Sequence, residues 1–199
     1  MGFSTLIDLF GSAIIGGVIF LILLRMSDAA TENTYFYAGE LLVQEDLVAV
    51  VELMEYDFRK IGYCADYTQI PNPSEAILQA DSTSISFLFD TNYNGTPDTL
   101  RYYLGTTSEL SSTPNPRDRM LYRVINNAVP KGANLGVTEF KITYFNALGD
   151  KLTFPISDTR EIYSLLINIK VENSAAYDAK YSRAFWRQLR LAARNLRNR

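Results

Sequence analysis

The chain has 199 residues, with 19 Lys and Arg against 22 Asp and Glu, a net charge of −3, and no histidine. The missing imidazole excludes Ser-His-Asp and Cys-His catalysis and His-ligated zinc, and a single cysteine, Cys64, excludes an intrachain disulfide scaffold. At 47% hydrophobic and 13% aromatic residues, the composition is that of a chain with a packed core and not of a disordered one.

The first predicted element is a helix of membrane length. Residues 9–24 (LFGSAIIGGVIFLILL) carry no charge. With Thr5, Leu6, Ile7 and Met26 the run nears the roughly 20 residues that a bilayer needs. Asp8 stands at its front, where a carboxylate is costly without a partner. The pattern fits an uncleaved signal anchor. It also fits a secretory signal with a weak cleavage site at Ala29-Ala30, although no Lys or Arg precedes Arg25. The flank of Arg25, Asp28 and Glu32 has no excess of positive charge, which places the chain that follows outside the cytoplasm.

Residues 27–34 (SDAATENT) are polar enough to loosen a helix, and helix signal returns at Tyr35. Leu47, Val51, Met54, Phe58 and Ile61 follow a 4-3-4-3 spacing, one apolar stripe, while Glu40, Glu45, Asp46, Glu52 and Glu55 fall on other faces. Gly62 is the expected stop, with Arg59 and Lys60 in the last turn, where cations are favoured. The simplest reading is one helix of about 55 to 60 residues, its first half in lipid and its second half resting on a core.

Residues 65–80, with Pro71, Asn72 and Pro73, predict a loop. Strands are expected at 82–89, 98–104, 120–125, 137–145 and 162–171, with a hairpin turn at 146–150 (NALGD) and a Pro-rich loop at 110–119. The tail, 182–199, carries two patterns. Arg183, Arg187, Arg190, Arg194 and Arg197 suit a basic amphipathic helix, which the local pattern slightly prefers; Phe185, Leu189 and Leu191 also fit one strand face. Residues 180–199 hold seven Lys and Arg and no acid, which calls for an anionic partner or a partner within the chain. Nucleic acid is not expected, because no aromatic and basic face accompanies the tail.

One stretch suggests a ligand. Asp90, Asn92, Asn94 and Asp98, with Gly95 at position six, match the first part of a calcium loop. Arg101 stands where an EF-hand has its bidentate Glu, and the competing reading is a hairpin turn rich in Asn and Gly. Ca2+ is the one candidate cofactor. Glu52 and Glu55 read as a solvated helix face, Cys64 as a buried thiol. No nucleophile elbow, phosphate loop or metal-hydrolase signature is present, so an enzyme is not expected.

Residues 2–9 (GFSTLIDL) resemble the type IV pilin signature, a leader ending in Gly before a Phe-Thr-Leu-Ile-Glu-Leu-like start. Residues 50–64 (VVELMEYDFRKIGYC) resemble the helix-end segment of PilW-like minor pilins and J-type pseudopilins, with Asp57, Arg59, Gly62 and Tyr63 fitting Asp-x-Arg-x-x-Gly-Tyr. Residues 87–103 are similar to that family's Asp/Asn/Gly-rich hairpin, and 183–199 to its closing segment. The resemblance implies an α+β pilin-like fold: a long N-terminal transmembrane helix packed on an antiparallel β-sheet, with the tail as last strand. Residues 1–30 would form the membrane and filament-core half of the helix, and 31–199 the head. It further implies cleavage after Gly2 by a prepilin peptidase, exposing Phe3. Asp8 would take the place of the family's Glu, neutralising a neighbour's terminal amine inside the apolar bundle. The implied partners are other pilin or pseudopilin subunits, an inner-membrane assembly platform and membrane lipid. The implied place is the bacterial inner membrane, then a type IV pilus or type II secretion pseudopilus. The residues taken alone also admit a signal-anchored extracytoplasmic binding module, with calcium as its candidate ligand.

Overall fold

The computed structural model describes residues 2–126, 128–174, 183–191 and 194–196. The chain divides into two compact units, Met1–Gly39 and Glu40–Arg199. Helix α1, Gly2–Arg59, begins in the first and ends in the second.

The first unit is helix alone. Its apolar side chains, from Phe3 through Leu6, Ile14 and Phe20 to Met26, stand exposed. The Thr5 and Ser12 hydroxyls donate to carbonyls one turn back, Gly2 O at 3.0 Å and Leu9 O at 2.9 Å, and so need no water. By length and composition the helix can cross a membrane, and none of its most apolar stretch is buried within the chain. Polar residues 27–34 do not interrupt it. They include no Gly or Pro, and the Thr31 and Thr34 hydroxyls donate to Ser27 O and Ala30 O, both at 2.9 Å.

In the second unit α1 supplies the spine of the core. Val43, Val50, Met54, Phe58 and Ile61 are buried, with Leu47 and Val51 half-buried beside them. The expected stripe is therefore real but rotated, centred on Val43 and Val50 in place of Leu47 and Val51. Gly62, at φ 76°, takes the left-handed turn that ends the helix, and its N–H donates to Leu88 O at 2.8 Å.

The described residues that follow contain two antiparallel sheets, where the sequence pointed to one. The first contains β1 (Ile77–Ala80), β2 (Ser84–Phe89), β3 (Asp98–Leu104), β4 (Leu121–Ile125) and β5 (Lys131–Ala133), in that order. The second contains β6 (Val137–Phe145), β7 (Ser164–Glu172) and β8 (Arg183–Leu191), in that order. The 65–80 loop thus hides β1, and β5 is too short to leave a pattern. The tail is strand from Arg183 to Leu191 and not helix: Lys170 is paired with Phe185 and Val171 with Ala184 in the β7–β8 ladder. Alternate residues of β2, Ile85, Phe87 and Phe89, enter the core, and Phe58 meets Phe87 and Tyr102 with ring centroids 5.3 and 5.5 Å apart. The sheets are tied at one corner, where Ile142 N–H donates to Ser82 O at 2.8 Å and the Tyr144 hydroxyl to Asp81 O at 3.1 Å. Gly136, at φ 64°, permits another close approach: a Cβ there would lie 2.1 Å from Glu172 O.

A fragment of residues 31–199 is expected to be soluble and to unfold cooperatively, because the rear stripe of α1 keeps its cover. Circular dichroism during urea titration checks this, and a fragment that aggregates refutes it.

Candidate functional site

The head holds one charged group on the buried face of α1. Asp57 is fully buried between Met54 and Ile61 in sequence, on the face that carries Phe58. β4 sends Arg123 to it in fork geometry: Nε to Oδ2 at 2.7 Å and Nη2 to Oδ1 at 3.1 Å. The Tyr102 hydroxyl, from β3, donates to Oδ2 at 2.5 Å. Burial, and then the Asp57 charge, push the Tyr102 phenol far above its usual range, so it stays a donor. The cation two residues on, Arg59, pairs outward with Glu55 at 3.3 Å. A signal for Arg123 existed: an acid at a stripe position demands a cation from elsewhere in the fold. Beside this network lies an apolar groove of about 510 Å³, with Leu53, Met54, Leu121, Ile125 and Val129 in its walls.

The structure brings Asp90, Asn92, Asn94 and Asp98 into one loop, but turns their oxygens onto the loop's own donors. Asp90 is fully buried; Oδ1 accepts from Asn94 N at 3.1 Å, and Oδ2 from Gly95 N at 2.9 Å and Ala65 N at 3.2 Å. Burial opposes its ionisation, yet these amides, led by Gly95, hold the carboxyl below the usual range. Asn92 Oδ1 accepts from Asn94 N at 3.1 Å and Asn94 Oδ1 from Thr96 N at 2.8 Å. Asp98 Oδ1 accepts from Asn126 Nδ2 at 2.7 Å, and its Oδ2 from the Thr91 amide and hydroxyl. A calcium cage needs six to eight convergent oxygens. This donor set does not fit one: its carboxylates are already occupied. Among the described residues no group of three or more His, Cys, Asp or Glu is placed to hold a metal. Cys64 is buried, with Sγ 4.0 Å from Asp90 Oδ2.

A second buried ionic cluster has no counterpart in the sequence pattern. Glu172 of β7 is 1% exposed; its Oε2 accepts from Arg117 Nε at 2.9 Å and Asn115 Nδ2 at 3.1 Å, and Lys170 Nζ lies 2.5 Å from Oε1. Burial disfavours its charge, but the Lys170 and Asn115 hydrogen bonds outweigh that and hold the carboxyl low. Asp118, also 1% exposed, has no hydrogen-bond partner on either oxygen among the described residues. The nearby Thr113 hydroxyl donates to Leu110 O and Asn115 O instead, at 2.9 and 3.2 Å. Burial, and then the Glu172 charge, push the Asp118 carboxyl up, against the opposing charge of Arg117.

Gly2, Phe3 and Asp8 all lie exposed on the opening turns of α1. Asp8 has no polar partner among the described residues. No protein-family model matches the chain, and no curated protein or solved structure matches it.

Three outcomes are expected. Arg123→Leu leaves Asp57 buried without its cation and costs about 3 kcal/mol in urea unfolding, whereas the double change Asp57→Leu with Arg123→Leu recovers most of that. Asp118→Asn raises Tm at neutral pH. A carboxyl with a raised folded pKa loses stability as pH climbs above about 4, its unfolded value, so the gain from Asn disappears below that pH. A Tm series for both proteins across pH checks it. Calcium or a chelator leaves Tm unchanged, while Asp90→Ala lowers it in either condition, since the Ala65, Asn94 and Gly95 amides lose their acceptor.

Proposed function

We propose that this chain is a filament subunit of the minor pilin or pseudopilin kind. It is held in a membrane by α1 before assembly and joined to its siblings through the same helix afterwards. The observation that carries the reading is the division of labour along α1. Its rear, from Val43 to Phe58, packs into a head core, while its front, from Phe3 to Met26, is apolar and bare. Exposed apolar surface of that extent is unstable in water and has to be covered by lipid or by other chains. A bilayer suits the monomer and a bundle of such helices suits the polymer. Asp8 fits the same picture. Inside an apolar bundle a carboxylate needs a cation, and a terminal amine of a neighbouring chain is one. In this reading the subunit sits in a bacterial inner membrane with its head outside the cytoplasm, awaiting a prepilin peptidase and an assembly platform.

The groove of about 510 Å³ favours a second reading, an anchored binding module that takes an apolar ligand. Both readings share the anchor and differ in what the head meets.

Mass spectrometry of the protein from its own cell separates them. The filament reading expects a cut after Gly2 and an N-methylated Phe3; an intact Met1, or a cut near Ala30, refutes it. Asp8→Ala is expected to leave membrane insertion intact while incorporation into filaments falls at least about tenfold, the scale of one lost charge pairing in apolar surroundings.

A further inference from the structure

The apolar groove of the head has one polar feature that the chain itself uses only in part. Of the described residues that line it, Arg123 is the only charged one, and Tyr102 is the only other with a polar side chain. The rest are Ala, Val, Leu, Ile and Met, from α1 on one wall and from β4, β5 and the chain around them on the other. The Tyr102 hydroxyl donates its proton to Asp57, so it offers the groove no donor. Arg123 is different. Asp57 takes its Nε and one donor of Nη2. Nη1 has no hydrogen-bond partner among the described residues. The Arg123 side chain lines the groove and is 27% exposed, so a molecule lying there can reach the N–H groups that Asp57 leaves over.

These features select among ligands. A cavity of about 510 Å³ is of the size that holds a small molecule, and its aliphatic walls favour an aliphatic chain. Donors without an acceptor beside them call for a ligand that brings an acceptor. That acceptor is better neutral. Asp57 already balances Arg123, and a second carboxylate would leave the cluster with an excess negative charge between apolar walls. The helical wall opposes an anion too. From Glu40 to Phe58, α1 holds six Asp and Glu and no Lys or Arg, and Asp46 stands one turn ahead of Ala49 and Val50. A neutral carbonyl on an aliphatic chain, as in an ester or amide, meets each of these requirements.

We infer that the head groove binds an aliphatic acyl chain whose neutral carbonyl oxygen accepts from the N–H groups of Arg123 that Asp57 leaves free. The inference rests on the reading of the head as a binding module and names the ligand class of its groove. It does not depend on how α1 associates. Arg123 then works on two sides: one edge of the guanidinium holds Asp57 in the core, and the other orients the ligand.

The test uses the full chain in phosphatidylcholine vesicles and three photoreactive probes: hexadecane, palmitic acid and methyl palmitate, each with a mid-chain diazirine. Mass spectrometry maps the labelled peptides, and label on the bare front of α1, residues 9–24, reports how much probe the vesicles hold. Relative to that label, methyl palmitate is expected to mark the groove peptides around Leu53 and Val129 at least about fivefold more than hexadecane or the acid does, the scale of one hydrogen bond. Leu53→Trp fills the groove and lowers its labelling by all three probes. The double change Asp57→Leu with Arg123→Leu abolishes the advantage of the ester. Equal groove labelling by the ester and hexadecane, stronger labelling by the acid, or an ester advantage that survives the double change overturns the carbonyl assignment and leaves the binding-module reading standing. If no probe labels the groove in a way that Leu53→Trp lowers, as when a second copy covers it, the inference and the binding-module reading both fall.

Discussion

The pairing of Asp57 with Arg123 fixes how the head is put together. An apolar stripe on a helix tolerates sliding and rotation against a sheet, since one methyl replaces another at small cost. A buried carboxylate does not: away from its cation it is an uncompensated charge in a core. Arg123 reaches Asp57 from β4, and Tyr102 reaches it from β3, so two strands and one helical position are bound to a single geometry. The rotation of the stripe, with Val43 and Val50 buried ahead of Leu47 and Val51, brings Asp57 to that pair. Phe58 then falls against Phe87 and Tyr102, and the aromatic core closes around it. Specificity here comes from a polar contact and bulk stability from the apolar one.

Local chemistry announced some of this fold and concealed the rest. The long helix was legible because nothing from Gly2 to Arg59 breaks one, and Gly62 supplies the stop. β2, β3, β4, β6 and β7 were legible to within about two residues at each end, because β-branched and aromatic residues cluster there between turn signals. β1 was hidden behind Pro71 and Pro73, whose turns end just before it, and β5 is three residues long with a glycine at its centre. The division into two sheets was not visible, because strand pairing depends on partners far apart in sequence. The tail shows why: alone, its arginines favour a helix, but β7 offers an open edge, and ladder hydrogen bonds decide in favour of strand.

The candidate sites were legible as composition and not as geometry. Asp90, Asn92, Asn94 and Asp98 do share one loop, but spacing alone does not say whether oxygens converge on an ion or fold back onto amides. Gly95 and Tyr93, both at positive φ, wind the loop so tightly that its own N–H groups arrive first. Of the Glu172 cluster only Lys170 is near in sequence; Asn115 and Arg117 stand 57 and 55 residues away in the chain.

The acids of this chain divide by how their charge is met, and the division bears on function. Asp57 has a forked cation, Glu172 a lysine and an arginine, and Asp90 a ring of amides. Asp118 has no hydrogen bond among the described residues, and there burial favours the protonated form. The first three are settled inside one folded chain, by pairing or capping, and burial weighs against the charge of the fourth. Asp8 and the quartet Glu40, Glu45, Asp46 and Glu52 are not settled so; they lie along α1 without a partner from their own chain among the described residues. In water that is ordinary for a glutamate, since solvent meets the charge. It is not neutral beside exposed Leu, Val and Ile, because whatever covers that apolar surface also strips water from the acid. A helix whose bare apolar length carries acids is therefore selective about its cover: it accepts apolar surface only where a cation comes with it. That requirement leads from the residues of α1 to a cover that is apolar and basic together.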